Sequence, residues 1–126
     1  MLFFDTSAAI AWLRGDEGLK KAAEGDGVSV SAVTVYELVW AAKRKSRRAQ
    51  EGVELFLGGA TIVPVTADIS RRAAHIKADL LAAGKDKPMA DLIIAATAEK
   101  EGLEFLSSDR DFEDIRRFSD IDLHLI

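Results

Sequence analysis

Three acidic residues stand alone in stretches of this sequence that otherwise carry no charge. Charged residues make up 30% of the 126-residue chain, yet residues 1–13 hold only Asp5, residues 28–42 only Glu37, and residues 88–98 only Asp91. None has a basic partner nearby in sequence. At helical spacing Asp91 shares a face with Ile94, Ala95 and Ala98, and Glu37 shares one with Val33, Trp40 and Ala41. Both carboxylates are therefore expected at the edge of buried surface or within it. A buried, unpaired carboxylate is costly and is normally neutralised, paired or bound to a metal. A fourth acid, Asp109, directly follows the apolar segment in EFLSSDRDF. Like charges gathered in one place repel, so a multivalent cation is the natural counterweight. With no cysteine and only two histidines, the ligand set would be all oxygen. That favours magnesium or manganese over zinc. The matching chemistry is cation-assisted hydrolysis of a polyanionic substrate. His75 and His124 are read as structural or surface residues, not catalysts.

The elements that must carry these acids alternate. Short, β-favouring apolar segments occur at residues 2–4, 28–30, 62–65, 104–106 and 122–126. Helical spacing runs over residues 7–13, then from 32 to about 48 with a continuation or restart over 51–57. It resumes at 67–83, at 88 to about 100, and at 111–118. Gly84 and Gly102 mark helix ends and Pro88 a helix start. Alternating strands and helices predict an α/β fold, a mainly parallel sheet between two layers of helices, in one domain spanning residues 1–126. Asp5 and Asp109 then fall just past the carboxyl ends of the first and fourth strands, where open parallel sheets bind ligands. Glu37 and Asp91 lie near helix N-termini, which right-handed crossovers return to the same edge.

Each acid also has a plainer explanation. Asp5 suits the N-cap of the helix that follows. Thr34 and Glu37 have the spacing of a capping box. Asp91 suits the positive end of a helix macrodipole, and Asp109 could cap the helix opened by Asp111. None of these explains why all four acids fall on one sheet edge.

Composition narrows the function classes. The net charge of −4 excludes a uniformly basic nucleic-acid-binding surface. The absence of cysteine excludes thiol nucleophiles, thiolate zinc sites and disulfides. No apolar run approaches the ~18–20 residues that span a bilayer, and the first residues make a poor signal peptide. A cytoplasmic protein is expected. The densest basic run is Lys43, Arg44, Lys45, Arg47 and Arg48, read mainly as a solvated helix end, with a phosphate or partner contact as the other reading. Arg71, Arg72, Lys85 and Lys87 are open in the same way. Trp12 and Trp40 are expected in the core or at an interface between copies.

The chain resembles the PIN-domain ribonucleases, and among them the VapC-type toxins of prokaryotic toxin–antitoxin pairs. The resemblance spans essentially the whole chain. It rests on an opening apolar strand that runs into Asp5-Thr6-Ser7, on Glu37 in SAVTVYEL, on Asp91 in PMADLIIAATA, and on Asp109 in FLSSDRDFEDI with Asp111-Phe112 after it. It implies a three-layer α/β/α domain with a five-stranded parallel sheet. It implies one or two magnesium or manganese ions held by Asp5, Glu37, Asp91 and Asp109. The implied activity is endonucleolytic hydrolysis of RNA to a 5′ phosphate and a 3′ hydroxyl, as the toxin of a type II system. It further implies a small VapB-type antitoxin as partner and a homodimer. Asp111 is read as an outer residue, and Ser7 and Ser107 as hydroxyls that orient ligands.

Three other readings are weighed. A haloacid-dehalogenase-type phosphatase needs a second acid two residues after Asp5, and Ser7 stands there. A receiver-like module needs a phosphorylatable aspartate after the third strand, where Asp68 reads as a helix-start residue. A non-catalytic PIN-fold binding module would have no use for the full set of acids.

Overall fold

The computed structural model describes all 126 residues. Its strands are β1 (Leu2–Phe4), β2 (Val28–Ser31), β3 (Thr61–Val63), β4 (Glu104–Ser107) and β5 (Asp122–Leu125). Its helices are α1 (Thr6–Leu13), α2 (Glu17–Asp26), α3 (Ala32–Lys43), α4 (Arg47–Gly59), α5 (Ala67–Ala82), α6 (Met89–Glu101) and α7 (Asp111–Arg116). The strands form one sheet in the order β3-β2-β1-β4-β5. Every pairing is parallel. This is the expected five-stranded parallel sheet.

Alternation along β1 divides the interior in two. Leu2 and Phe4 face one layer, packing with Val28, Val30, Leu38, Val53 and Phe56. Phe3 faces the other, with Phe105, Phe112, Ile76, Leu80 and Ile94. Three rings stack edge-to-face through the second layer, Phe3 on Phe105 at 5.6 Å and Phe105 on Phe112 at 4.9 Å. That geometry suits the ring quadrupoles. It also fixes α7, and the acids at its head, against β4. Because β1 lies in the middle with β2 on one side and β4 on the other, the connections wind outward in both directions from it. The cleft where they part opens at the carboxyl ends of β1 and β4.

The structure corrects three sequence readings. Residues 17–26 form α2, which went unpredicted. The segment is dense in charge, and its apolar stripe is short and mostly alanine, Leu19 with Ala22 and Ala23, a weak signal for an amphipathic helix. The long helix from residue 32 ends at Lys43, and α4 begins afresh behind Ser46, whose hydroxyl accepts from the Ala49 N–H at 3.0 Å. The third strand ends at Val63, not Val65, because Pro64 has no N–H to add to the ladder.

Candidate active site

Asp5 is placed by the end of β1 and by its own hydrogen bonds. Its backbone N–H extends the β1–β4 ladder by donating to the Leu106 carbonyl at 3.2 Å. Its Oδ1 accepts from the Ser7 hydroxyl at 2.7 Å and from the Ala8 N–H at 2.9 Å. Its Oδ2 accepts from the Ser107 hydroxyl at 2.7 Å. Asp5 is thus the N-cap of α1, as the plainer reading had it. It is also a buried member of the acid group, 4% exposed. Burial raises its pKa above the usual aspartate value, partly opposed by the hydrogen bonds from Ser107, Ser7 and Ala8, while the charge of Asp109 raises it further.

Ser7 and Ser107 form a second tier beneath the acids. Each spends its one proton on Asp5 and accepts from a backbone N–H: Ser7 from Ser108 at 2.9 Å, Ser107 from Asp109 at 2.9 Å. The turn after β4 is therefore hung on the same two hydroxyls that hold Asp5. Asp109 Oδ1 in turn accepts from the Asp111 N–H at 2.9 Å, which opens α7.

Glu37 does not fill the capping-box role that was its plainer explanation. The N-cap of α3 is Ser31, whose hydroxyl accepts from the Val33 N–H, and Thr34 is a buried residue inside the helix. Glu37 Oε1 instead accepts from the Thr6 hydroxyl at 2.6 Å. Thr6 and Thr34 hydroxyls stand 3.1 Å apart. Since the Thr6 proton goes to Glu37, Thr34 is the donor of that pair. Thr6 and Thr34 were not among the predicted site residues. The available signal was three consecutive polar residues closing an apolar strand, and a threonine one helical turn before a lone glutamate. The face of α3 around Glu37 is also less buried than expected, with Trp40 54% exposed.

Asp91 lies in the first turn of α6, behind Pro88, which supplies no side-chain cap. Burial pushes its pKa up to about 6, and the charges of Asp109, Glu37, Asp5 and Asp111 add to the rise; no hydrogen bond offsets it. Four other acids thus act on Asp91 at once, although of the four acids anticipated at one spot the structure brings only Asp91 and Asp109 into one close group, and Asp5 and Glu37 lie outside it. That group is Asp91, Asp109 and Asp111, whose carboxylate oxygens lie within 4.8 Å of one another. Asp111, expected outside the ligand set, therefore belongs to the same close group as Asp91 and Asp109. Its other contact is Lys87, whose ammonium lies 3.1 Å from Asp111 Oδ1 and 2.9 Å from Asp114 Oδ2.

The remaining candidates fall away from this group. Asp68, the receiver-like alternative, is in the first turn of α5 with its side chain 78% exposed, paired with Arg71. His75 is exposed, and His124 pairs with Asp122 at the far edge strand. Arg72 is committed to Glu99, at 2.6 Å, and to the Phe118 carbonyl.

The family model of the PIN domain matches residues 2–118. The chain belongs to the PIN domain family. Solved PIN-like structures agree in fold over nearly the full length. A chain of VapBC2 from Rickettsia felis, bound to a DNA fragment from their promoter, superposes with a TM-score of 0.87 at 16% identity, covering 100% of this chain and 99% of that one. A chain of DNA-bound VapBC from Salmonella typhimurium gives 0.84 at 22% identity, with 98% of each chain covered. A chain of VapBC-5 from Mycobacterium tuberculosis gives 0.76 at 24%, covering 99% and 98%. At these identities the likeness is one of fold. No curated protein sequence matches the chain.

The PIN-domain acid group fits a divalent cation on its own chemistry. Asp91 is partly buried among acids with no hydrogen bond to steady its charge, all the donors are carboxylate oxygens, and the only ammonium in contact reaches Asp111 from its outer side. Asp91, Asp109 and Asp111 offer the closest set of ligand atoms; Asp5 and Glu37 stand outside that set, and their charges reach Asp91 without joining it. No helix of the fold is long and apolar enough to cross a membrane.

Proposed function

We propose that this PIN domain is a magnesium- or manganese-dependent endoribonuclease, and that it serves as the toxin of a type II toxin–antitoxin pair. The observation that carries the reading is the unpartnered Asp91 carboxylate, held among four other acids at the carboxyl edge of a parallel sheet. A cation bound there supplies Lewis-acid chemistry, polarising the scissile phosphate and lowering the pKa of water. The chain's own residues do the rest. Asp91, Asp109 and Asp111 hold the cation, with Asp5 and Glu37 completing the acid group, Ser7 and Ser107 fix the rotamer of Asp5, and the Thr34–Thr6 pair aims Glu37. No histidine or cysteine is needed to take up a proton.

Support for RNA as substrate comes from kinship. VapC20 of Mycobacterium tuberculosis, a sarcin-ricin loop cleaving toxin, superposes with a TM-score of 0.64 at 22% identity over 90% of this chain and 93% of that one. Support for a VapB-type partner comes from the VapBC complexes and from a groove of about 500 Å³ between α1, α3 and α4. Its floor is apolar (Ile10, Leu13, Leu38, Val53) and its rim basic (Arg14, Lys45, Arg48). An amphipathic segment with acidic residues along one side fits that pattern. The exposed apolar strip of Tyr36, Val39 and Trp40 on α3 supports a homodimer. A cytoplasmic setting accords with the cysteine-free sequence and an RNA substrate.

The test is cleavage of RNA by the purified chain, freed of any partner, with magnesium or manganese present. Cutting should stop with EDTA and return when the ion is restored. Transfer of phosphate from acetyl phosphate onto the chain, seen by intact mass, would instead favour a receiver. RNA binding without cutting would favour a non-catalytic PIN module.

A further inference from the structure

Lys87 is the one cation that touches the acid group, and its setting is unusual for a lysine. Its side chain is only 11% exposed, whereas lysines are seldom buried unless paired. It bridges two acids of α7, Asp111 at 3.1 Å and Asp114 at 2.9 Å. Lys85 reaches Asp114 as well, at 3.5 Å. The loop that carries both lysines is pinned on its other side. Asp86 pairs with Lys77 of α5 at 3.0 Å and accepts from the Lys87 N–H at 2.9 Å. Pro88 follows at once and starts α6. One short loop thus ties the first turn of α6, which carries Asp91, to the first turn of α7, which carries Asp111. Without this tie, Asp111 has a side chain 54% exposed at the head of a six-residue helix, with open solvent to turn into.

We propose that Lys87 is a positioning residue for the divalent-cation site, its bridge between Asp111 and Asp114 holding the Asp111 carboxylate beside those of Asp91 and Asp109. The inference rests on the reading of the acid group as a cation site and adds a residue that the sequence left unassigned. It separates cleanly from simple electrostatics. An ammonium near a dication repels it, so if Lys87 were only a nearby charge, its removal would tighten cation binding. If it were a solvated surface lysine, removal would change nothing. A positioning role alone predicts that binding weakens when the positive charge is taken away.

Manganese binding to the full chain, measured by titration calorimetry and by electron paramagnetic resonance of the free ion, decides among these. Lys87→Met should raise the manganese Kd about tenfold, the scale on which groups that orient metal ligands act. Lys87→Arg, which keeps two donors on a longer arm, should recover most of the loss. In an Asp111→Asn background, Lys87→Met should cause no further weakening, because the residue it positions is gone. Should thermal unfolding show that the Met variant is not folded, Lys87→Gln takes its place under the same criteria. Unchanged or tighter binding in the single variant overturns the proposal, as does a full additional loss in the Asp111→Asn background. If the parent chain itself binds no manganese, it is the cation-site reading that fails, and the two failures cannot be confused.

Discussion

Two corners of the site hold their acids in opposite ways. At the β1–α1 corner, Asp5 is buried and accepts three hydrogen bonds, from Ser7, Ala8 and Ser107. At the α6 corner, Asp91 is steadied by no hydrogen bond and is acted on by four other acids. One carboxylate is part of the scaffold and the other is a burden on it. Asp5 is therefore tied into the fold by three donors with or without an ion, which offset part of the cost of its burial, whereas Asp91 has a favourable partner only when a cation is present. A group of like charges is tolerable in a folded chain when some members are stabilised internally and the remainder await a ligand.

The largest expected effect tests what the two corners share. Asp5→Asn and Asp91→Asn should each lower RNA cleavage by on the order of 10³-fold, the several kcal/mol a cation contributes at the transition state. If either variant cuts at the parent rate in a gel assay, that residue is not in the site. The next effect should separate the corners. Asp91→Asn removes a repelled charge and should stabilise the cation-free chain by ~1–2 kcal/mol. Asp5→Asn puts an amide N–H₂ where a hydroxyl or N–H now donates and should cost ~1–3 kcal/mol. Urea unfolding in EDTA measures both, and shifts of the same sign would erase the contrast. Thr6→Val, which frees Glu37 of its only hydroxyl donor, should lower cleavage roughly 10–100-fold with the fold intact by circular dichroism.

The smallest effect is in pH. The folded pKa of Asp91, about 6, lies above the ordinary 3.8, so the folded state keeps a proton that the unfolded state has released. The associated stability is complete below about 4 and lost as pH rises through 6. Asp86 and Asp114 run the other way. Their lysine partners hold them below the ordinary value, so their contribution is present above it and disappears in more acidic solution. The cation-free chain should therefore be more stable at pH 5.5 than at pH 7.5, by thermal unfolding in EDTA. Saturating magnesium should shrink the difference. A cation-free chain whose stability instead climbs toward pH 7.5 would mean that Asp91 is not the burden described.

The sequence revealed more of the skeleton than of its bonding. Lone acids in apolar stretches were visible because Asp5, Glu37 and Asp91 break a local pattern, and strand ends placed Asp5 and Asp109 at one sheet edge. The alternating segments implied a parallel sheet between two layers of helices, but the order of the strands and the sorting of Phe3 and Phe4 onto opposite faces came from the structure. What stayed hidden depends on partners far apart in the chain. The Thr6–Glu37 bond spans 31 residues, and nothing local distinguishes it from a capping box at Thr34. Lys87 was one of several ambiguous cations until α7 was seen against α6. Helix α2 was missed because its core-facing stripe is Leu19 with the two small residues Ala22 and Ala23, a faint pattern among many charges.

Ser107 joins the acid group to Ile126, the residue that follows β5. Its hydroxyl donates to Asp5, while its carbonyl accepts from the Ile126 N–H at 2.9 Å. The Ile126 amide thus sits one residue away from the buried Asp5 carboxylate. Hydrogen exchange at Ile126 should then slow when the acids are neutralised, giving a readout that needs no nucleic acid.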